Sequence, residues 1–393
     1  MPKHILIAPQ SFKGSLQAVE VATAIRAGIL AGWSGAELPE CTLLPLADGG
    51  EGTAEIIVFS AGTKGRLIPV SVRGPLPHQK VTAHIGWLED GYPTAIIEVA
   101  QAVGLPLLTP AERDPLATST LGVGDMLRHA LALGARRIYI GLGGSSTNDG
   151  GMGMASSLGV RFLANDGSEL IPCGLALKDI AAIDATRIEP KFGQVEVIGL
   201  TDVINPLYGE DGATAVYGPQ KGADKAAIKI LDAGLRHYAE LILQTFHRDV
   251  AFITGAGAAG GLGAGLLAFG SSATHLASGA DYILEATHFN TQLAKSDLVI
   301  TGEGQLDTQS ISGKLTGTVA TRANALGIPV ICVTGGIAEE FAVRPPVCID
   351  AIIIATDGPR SLSNAMQLSG QLISGAVARA VYGWQHIANA IIS

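Results

Sequence analysis

Residues 138–153 read IYIGLGGSSTNDGGMG: a short apolar run that opens into Gly143, Gly144, Ser145, Ser146 and Thr147, then Asn148, Asp149 and two more glycines. Helix-forming residues resume at Met152. A strand that ends in a Gly-, Ser- and Thr-rich turn before a helix suits an anion. Glycines admit close backbone approach, the first N–H groups of the helix point outward, and hydroxyls add donors. A plain strand-to-helix connection needs only one or two special residues, so this density of hydroxyls favours phosphate or carboxylate binding.

Four acids stand just past apolar runs of strand type: Asp48, Asp202, Glu303 and Asp307. Three lysines lie in comparable turns: Lys13, Lys221 in GPQKG and Lys314 in SGK. Phosphoryl transfer from ATP asks for this supply. Magnesium takes one or two carboxylates with waters and phosphate oxygens, a further carboxylate orients or deprotonates the acceptor hydroxyl, and cations steady the transferring group. One acid alone is as well explained as a helix cap; four at strand ends are expected to share one sheet edge.

The elements that must position these groups follow from periodicity. Residues 5–8 form a strand, and Ser15 is placed to cap a helix starting at Leu16, so Lys13 falls in the turn after the first strand. A second strand, 42–46, delivers ADGGEGT, with Asp48 and Glu51 beyond its end. Residues 67–72, 81–87 and 94–98 read as strands at hairpin-like spacing, without long helices between them. A helix over 122–133, the strand before the glycine turn, a strand over 195–200 and a helix over 224–244 follow. Strands at 298–301, 329–333 and 351–355 alternate with helices at 316–325 and 363–392. The economical arrangement is an α/β fold in which residues 1–69 and 291–393 build one Rossmann-like parallel-sheet domain from both chain ends. Residues 70–290 form a second, inserted α/β domain.

Composition excludes several classes. At 393 residues the chain exceeds one ordinary core, and its 51 glycines fall at strand ends rather than in low-complexity runs. A net charge of −9 argues against nucleic acid. No apolar stretch reaches the roughly 18–20 uncharged residues of a membrane span, and MPKHILIAP leads straight into a strand, so a cytoplasmic protein is expected. Four cysteines show no metal spacing.

Competing motifs fail on context. GAGAAGGLGAG contains G-x-G-x-x-G at Gly255, Gly257 and Gly260, but the acid that should close a second strand, Asp281, follows LASGA rather than a strand, and the stretch is unusually rich in small residues. Close packing or phosphate contact explains Gly257 and Gly260 better than a nicotinamide cofactor. G-x-x-x-x-G-K-[ST] is absent, and Ser146 lacks a G-x-S-x-G elbow.

Taken together, IAPQSFKGS, LADGGEGT, TSTLGVGDMLRHAL, GLGGSSTNDGGMGM, TDVINPL, GPQKGA, GAGAAGGLGAG and TGEGQLDTQSISGK resemble the successive signatures of the type 1 bacterial glycerate kinase family. The resemblance covers essentially the whole chain. It implies ATP-dependent phosphorylation of D-glycerate with Mg2+, usually at the 2-hydroxyl, by two α/β domains. The first motif more often reads PDS in that family, whereas Gln10 stands here. That position is therefore read as supporting rather than catalytic.

Roles follow from chemistry. Lys13, Asp48 and Asp202 form the expected catalytic set: Lys13 grips the glycerate carboxylate or a transferring phosphate, and Asp202 is a base or a metal ligand. Glu303 and Asp307 are the metal candidates. Gly143, Gly144, Ser145, Ser146 and Thr147 hold nucleotide phosphates, with Gly257 and Gly260 next in line. The competing function is a two-domain binder of a small hydroxy acid, or another hydroxy-acid kinase. The acceptor hydroxyl (2- or 3-) and the oligomeric state stay open at the level of sequence.

Overall fold

The computed structural model describes residues 2–47, 49–89, 91–311, 315–341, 344–356, 358 and 361–392, without the side chains of 309 and 387–392. Asp48 and Lys314 lie outside the described residues. The strands in chain order begin with β1 (His4–Pro9), β2 (Glu40–Leu43), β3 (Gly65–Arg73), β4 (Lys80–Leu88) and β5 (Thr94–Glu98). There follow β6 (Arg137–Gly141), β7 (Arg161–Leu163), β8 (Ala182–Asp184), β9 (Glu196–Leu200) and β10 (His275–Ala277). The last are β11 (Leu298–Leu306), β12 (Val330–Ile337) and β13 (Ala351–Ile354).

Two compact units divide the chain: Met1–Asp48 with Ile283–Ser393, and Gly49–Tyr282. The first contains a five-stranded sheet of order β13-β12-β11-β1-β2, parallel throughout. Ile5 pairs with Leu298 and Ala8 with Thr301, so the two ends of the chain share one sheet. Its central strands, β1 and the first half of β11, are apolar runs buried on both faces, as a helix-covered parallel sheet requires, while the edge strands β2 and β13 are partly exposed. One face packs Ile5, Ile7, Leu298 and Ile300 against helices Ala18–Gly32 and Ser369–Ile392 through Val21, Ile25, Ile373 and Val377. The first helix starts at Ala18 rather than Leu16. Glu20 accepts the N–H of Gln17 at 2.9 Å, while Ser15 Oγ turns instead to Met366 O and Ser369.

The second unit carries a six-stranded sheet of order β10-β9-β6-β5-β4-β3. β5, β6, β9 and β10 are parallel, while β3, β4 and β5 form the antiparallel meander expected from hairpin spacing. β7 and β8 form a small separate pair. A sequence boundary after residue 69 would cut β3, which pairs with β4 along its whole length, and helix Thr53–Ala61 packs on both strands. Residues 49–69 therefore belong to the second unit.

Several elements differ from their expected extents, among them β2, which ends at Leu43 rather than at residue 46, and β12, which runs on to Ile337. β11 runs on to Leu306, so Glu303 lies within the strand, because its pairing with β12 continues through Gln305↔Gly336 and Leu306↔Ile337. LASGA, read as non-strand, includes the last residues of β10, which pairs with β9.

Candidate active site

In the first unit, β1 leads to β2 on one side while β11, β12 and β13 continue on the other, so the strand order reverses between β1 and β11. Open parallel sheets bind ligands beyond the carboxyl ends of their strands at such a point. A cavity of about 650 Å³ opens there, lined among others by Gln10, Lys13, Glu303, Asp307, Ser310 and Gly335. Lys13 is exposed on a tight turn stapled by buried Phe12, whose N–H bonds Leu16 O at 2.9 Å. Gln10 Nε2 donates to Thr316 Oγ1 at 2.9 Å, which fits a supporting residue. Ser310 Oγ lies 2.9 Å from Glu303 Oε2 and 3.1 Å from Asp307 Oδ1, so one hydroxyl gathers both carboxylates. Asp307 Oδ1 also accepts the Ser310 N–H at 2.9 Å.

Among the described residues no cluster of three His, Cys, Asp or Glu side chains could hold a metal. Two carboxylates converging on a hydroxyl in an open, polar cavity nevertheless fit magnesium, which takes one or two protein carboxylates and completes its shell with water and phosphate oxygens. A larger cavity, about 1010 Å³, lies at the opposite, amino-terminal edge of the same sheet among Ile29, Trp33, Ile300, Ile353 and Trp384. Its acids are occupied by strand starts: Asp297 accepts the N–H groups of Lys3 and His4, and Asp350 that of Val330. The acids of the smaller cavity, Glu303 and Asp307, instead face each other across Ser310 beside Lys13.

In the second unit the corresponding carboxyl edge is that of β5, β6 and β9. Glu98 ends β5 and accepts the N–H groups of Gly52 at 3.0 Å and Ala54 at 2.7 Å, tying the glycine motif after residue 48 to the sheet. Burial pushes its carboxyl up, against the pull of those donors. The next strand end, β6, releases the loop of Gly143, Gly144, Ser145, Ser146 and Thr147. A Cβ at Gly143 would stand 2.8 Å from Gly50 Cα, so the two glycine motifs lie backbone to backbone.

Only the first part of this loop reaches the surface. Gly143 is half-buried and Gly144 exposed, whereas Ser145, Ser146, Thr147, Asn148 and Asp149 are buried. Ser146 spends both its N–H and its hydroxyl on Val103 O, each at 2.9 Å. Asn148 Nδ2 donates to Thr214 Oγ1 at 2.9 Å. Asp149 is wrapped by Thr120 N at 2.7 Å, Thr120 Oγ1 at 2.9 Å, and the N–H groups of Gly151 and Gly153, each at 3.1 Å. Burial nonetheless raises its carboxyl above the usual range. Lys221 Nζ donates to Ser145 Oγ at 2.9 Å and Thr147 O at 2.8 Å, and burial lowers this amine to about 7.

Gly257 and Gly260 brace this loop and its neighbour from behind. A Cβ at Gly257 would meet Pro206 O at 2.3 Å, and one at Gly260 would meet Thr147 O at 2.0 Å. The Gly260 carbonyl also accepts the Gly150 N–H at 3.0 Å. The glycine-rich stretch is thus a packing surface for the hydroxyl loop.

Asp202, just past β9, is exposed. Its Oδ1 accepts from Ser278 Oγ at 3.0 Å, and its carboxylate lies 3.3–3.4 Å from Ala280 N, at the start of helix Gly279–Ala286. The expectation that the acids share one sheet edge is corrected here. Asp202 belongs to the six-stranded sheet and Glu303 to the five-stranded one, because the hairpin strands of the second unit build a sheet of their own. Sequence reasoning passed over Glu98, Asp149 and Ser310. Glu98 closes the apolar run TAIIE and was open to the same strand-end rule as the other acids.

Comparison with known proteins follows the same lines. The model of the glycerate kinase family matches residues 5–385. A glycerate kinase of Halalkalibacterium halodurans is 43% identical, covering 95% of this chain and 96% of its own. A glycerate 2-kinase of Escherichia coli is 41% identical over 92% of this chain and 93% of its own. The crystal structure of a protein designated glycerate kinase 2 in Salmonella typhimurium LT2 superposes with a TM-score of 0.82 at 39% identity, covering 99% of this chain and 100% of the other.

Proposed function

The chain belongs to the glycerate kinase family of phosphotransferases, and from that premise we propose that it transfers the γ-phosphoryl group of ATP to the 2-hydroxyl of D-glycerate, yielding 2-phospho-D-glycerate. The observation that carries the site is the convergence of Glu303 and Asp307 on Ser310 in the cavity that Lys13 also lines. In this reading Glu303 and Asp307 hold magnesium, which when bound neutralises charge on the phosphates. Lys13, an exposed point charge on a rigid turn, holds a phosphate or the glycerate carboxylate.

The second unit is assigned the phosphate cradle. Gly143 and Gly144 supply accessible backbone, while Ser146, Thr147, Gly257 and Gly260 shape it from within. Asp202 orients or deprotonates the acceptor hydroxyl, its carboxylate held by Ser278. No described helix is long and apolar enough to cross a membrane.

The reading is tested by following ADP release. Release that requires both D-glycerate and magnesium supports it. ATP turnover indifferent to D-glycerate, or none at all in the folded protein, overturns it.

A further inference from the structure

Lys221 is an unusual lysine. It is 3% exposed, and among the described residues no carboxylate comes within ion-pair range of its Nζ. Asp149 acts on it electrostatically, but burial outweighs that help. Burying an amine with two hydrogen bonds and no ion pair is costly, and an apolar side chain of similar volume would fill the space more cheaply. The two bonds go to one place, the hydroxyl loop, through Ser145 Oγ and Thr147 O.

The direction of the first bond matters. A serine hydroxyl has one hydrogen to donate. With its oxygen accepting from Lys221, Ser145 keeps that hydrogen for another acceptor, and none is found for it among the described residues. Ser145 adjoins Gly144, the exposed residue of the loop. A hydroxyl polarised by a donor behind it is a stronger donor in front.

We propose that Lys221 is a positioning residue for the anion held at Gly143 and Gly144, acting through Ser145 by fixing its hydroxyl so that the O–H donates to the ligand. The inference rests on the assignment of this loop as the phosphate cradle. It adds a residue 76 positions away in sequence from the serine that it controls.

The test is calorimetric titration of ADP into the full chain and its Ser145→Ala, Lys221→Met and double variants, with melting curves to establish folding. Each single substitution is expected to weaken ADP about tenfold or more, the scale of a lost hydrogen bond to a charged group. The double variant is expected to lose no more than Lys221→Met alone, and Ser145→Ala should melt near wild type, which a merely structural role would not combine with weak binding. Unchanged ADP affinity in Ser145→Ala overturns the proposal, as do additive losses in the double variant. Should Lys221→Met not fold, Lys221→Gln takes its place. Gly144→Val separates the two levels. If it loses ADP while Ser145→Ala does not, the cradle stands and the role of Lys221 falls; if neither loses ADP, both fall.

Discussion

Replacing Asp202 with Asn removes a charge and keeps an acceptor oxygen, so it separates chemistry from architecture at this position. The structural role is visible: Oδ1 accepts from Ser278 Oγ at 3.0 Å and the carboxylate faces the start of helix Gly279–Ala286. Losing a charge at a helix N-terminus costs about 0.3–1 kcal/mol, and weakening the cap brings the total to about 1 kcal/mol. In a chain of this size that shifts Tm by a few degrees, with no reason for turnover to change. If Asp202 acts on the acceptor hydroxyl, its charge matters in the transition state, and kcat should fall about 10²-fold or more while KM for glycerate moves much less. Ser278→Ala is the control, since it removes the bond to Asp202 together with the one that Ser278 Oγ accepts from the Asp281 N–H, and leaves the carboxylate. The assay is steady-state ADP release by both variants at saturating magnesium, beside their melting curves. Equal, near-normal kcat in the two would refute the catalytic assignment and leave Asp202 as a cap.

Three further outcomes are expected. Gly144→Val should weaken nucleotide binding more than it destabilises the fold, since the residue is exposed, although a side chain at φ +73° adds about 1–2 kcal/mol of strain; ADP affinity and Tm measured together check this. Asp307→Asn should raise the magnesium concentration needed for half-maximal rate, read from a magnesium titration, while Ser310→Ala should do so more weakly because both carboxylates remain. Lys221 predicts a pH effect on stability. Below about 7 folded and unfolded chains both hold its proton and the burial cost is in force; above it the folded protein has released the proton while an unfolded lysine, near 10.4, keeps it. Wild type should therefore gain on Lys221→Met by up to about 1.4 kcal/mol per pH unit above 7, measured by urea denaturation at pH 6 to 9.

The parallel sheet of the first unit was legible because its strands are short apolar runs, each ending in a glycine motif, and such runs pair whichever end of the chain they come from. The extent of β11 was not, because residues 302–306 carry glycines and polar side chains and are held as strand by β12. The hydroxyl loop was recognisable as special, yet its burial could not be read locally. The partners that turn Ser146 and Thr147 inward, Val103 and Lys221, lie 43 and 74 residues away. Asp202 shows the same limit. Its cap partner Ser278 is 76 residues off, so the sequence presented the acid without the helix it faces.

Phosphorus NMR of the product formed from D-glycerate, ATP and magnesium tests the central claim most directly. The account predicts a new phosphomonoester resonance matching 2-phospho-D-glycerate, appearing in step with ADP. A resonance matching 3-phospho-D-glycerate, or ADP accumulating with inorganic phosphate alone, would contradict it.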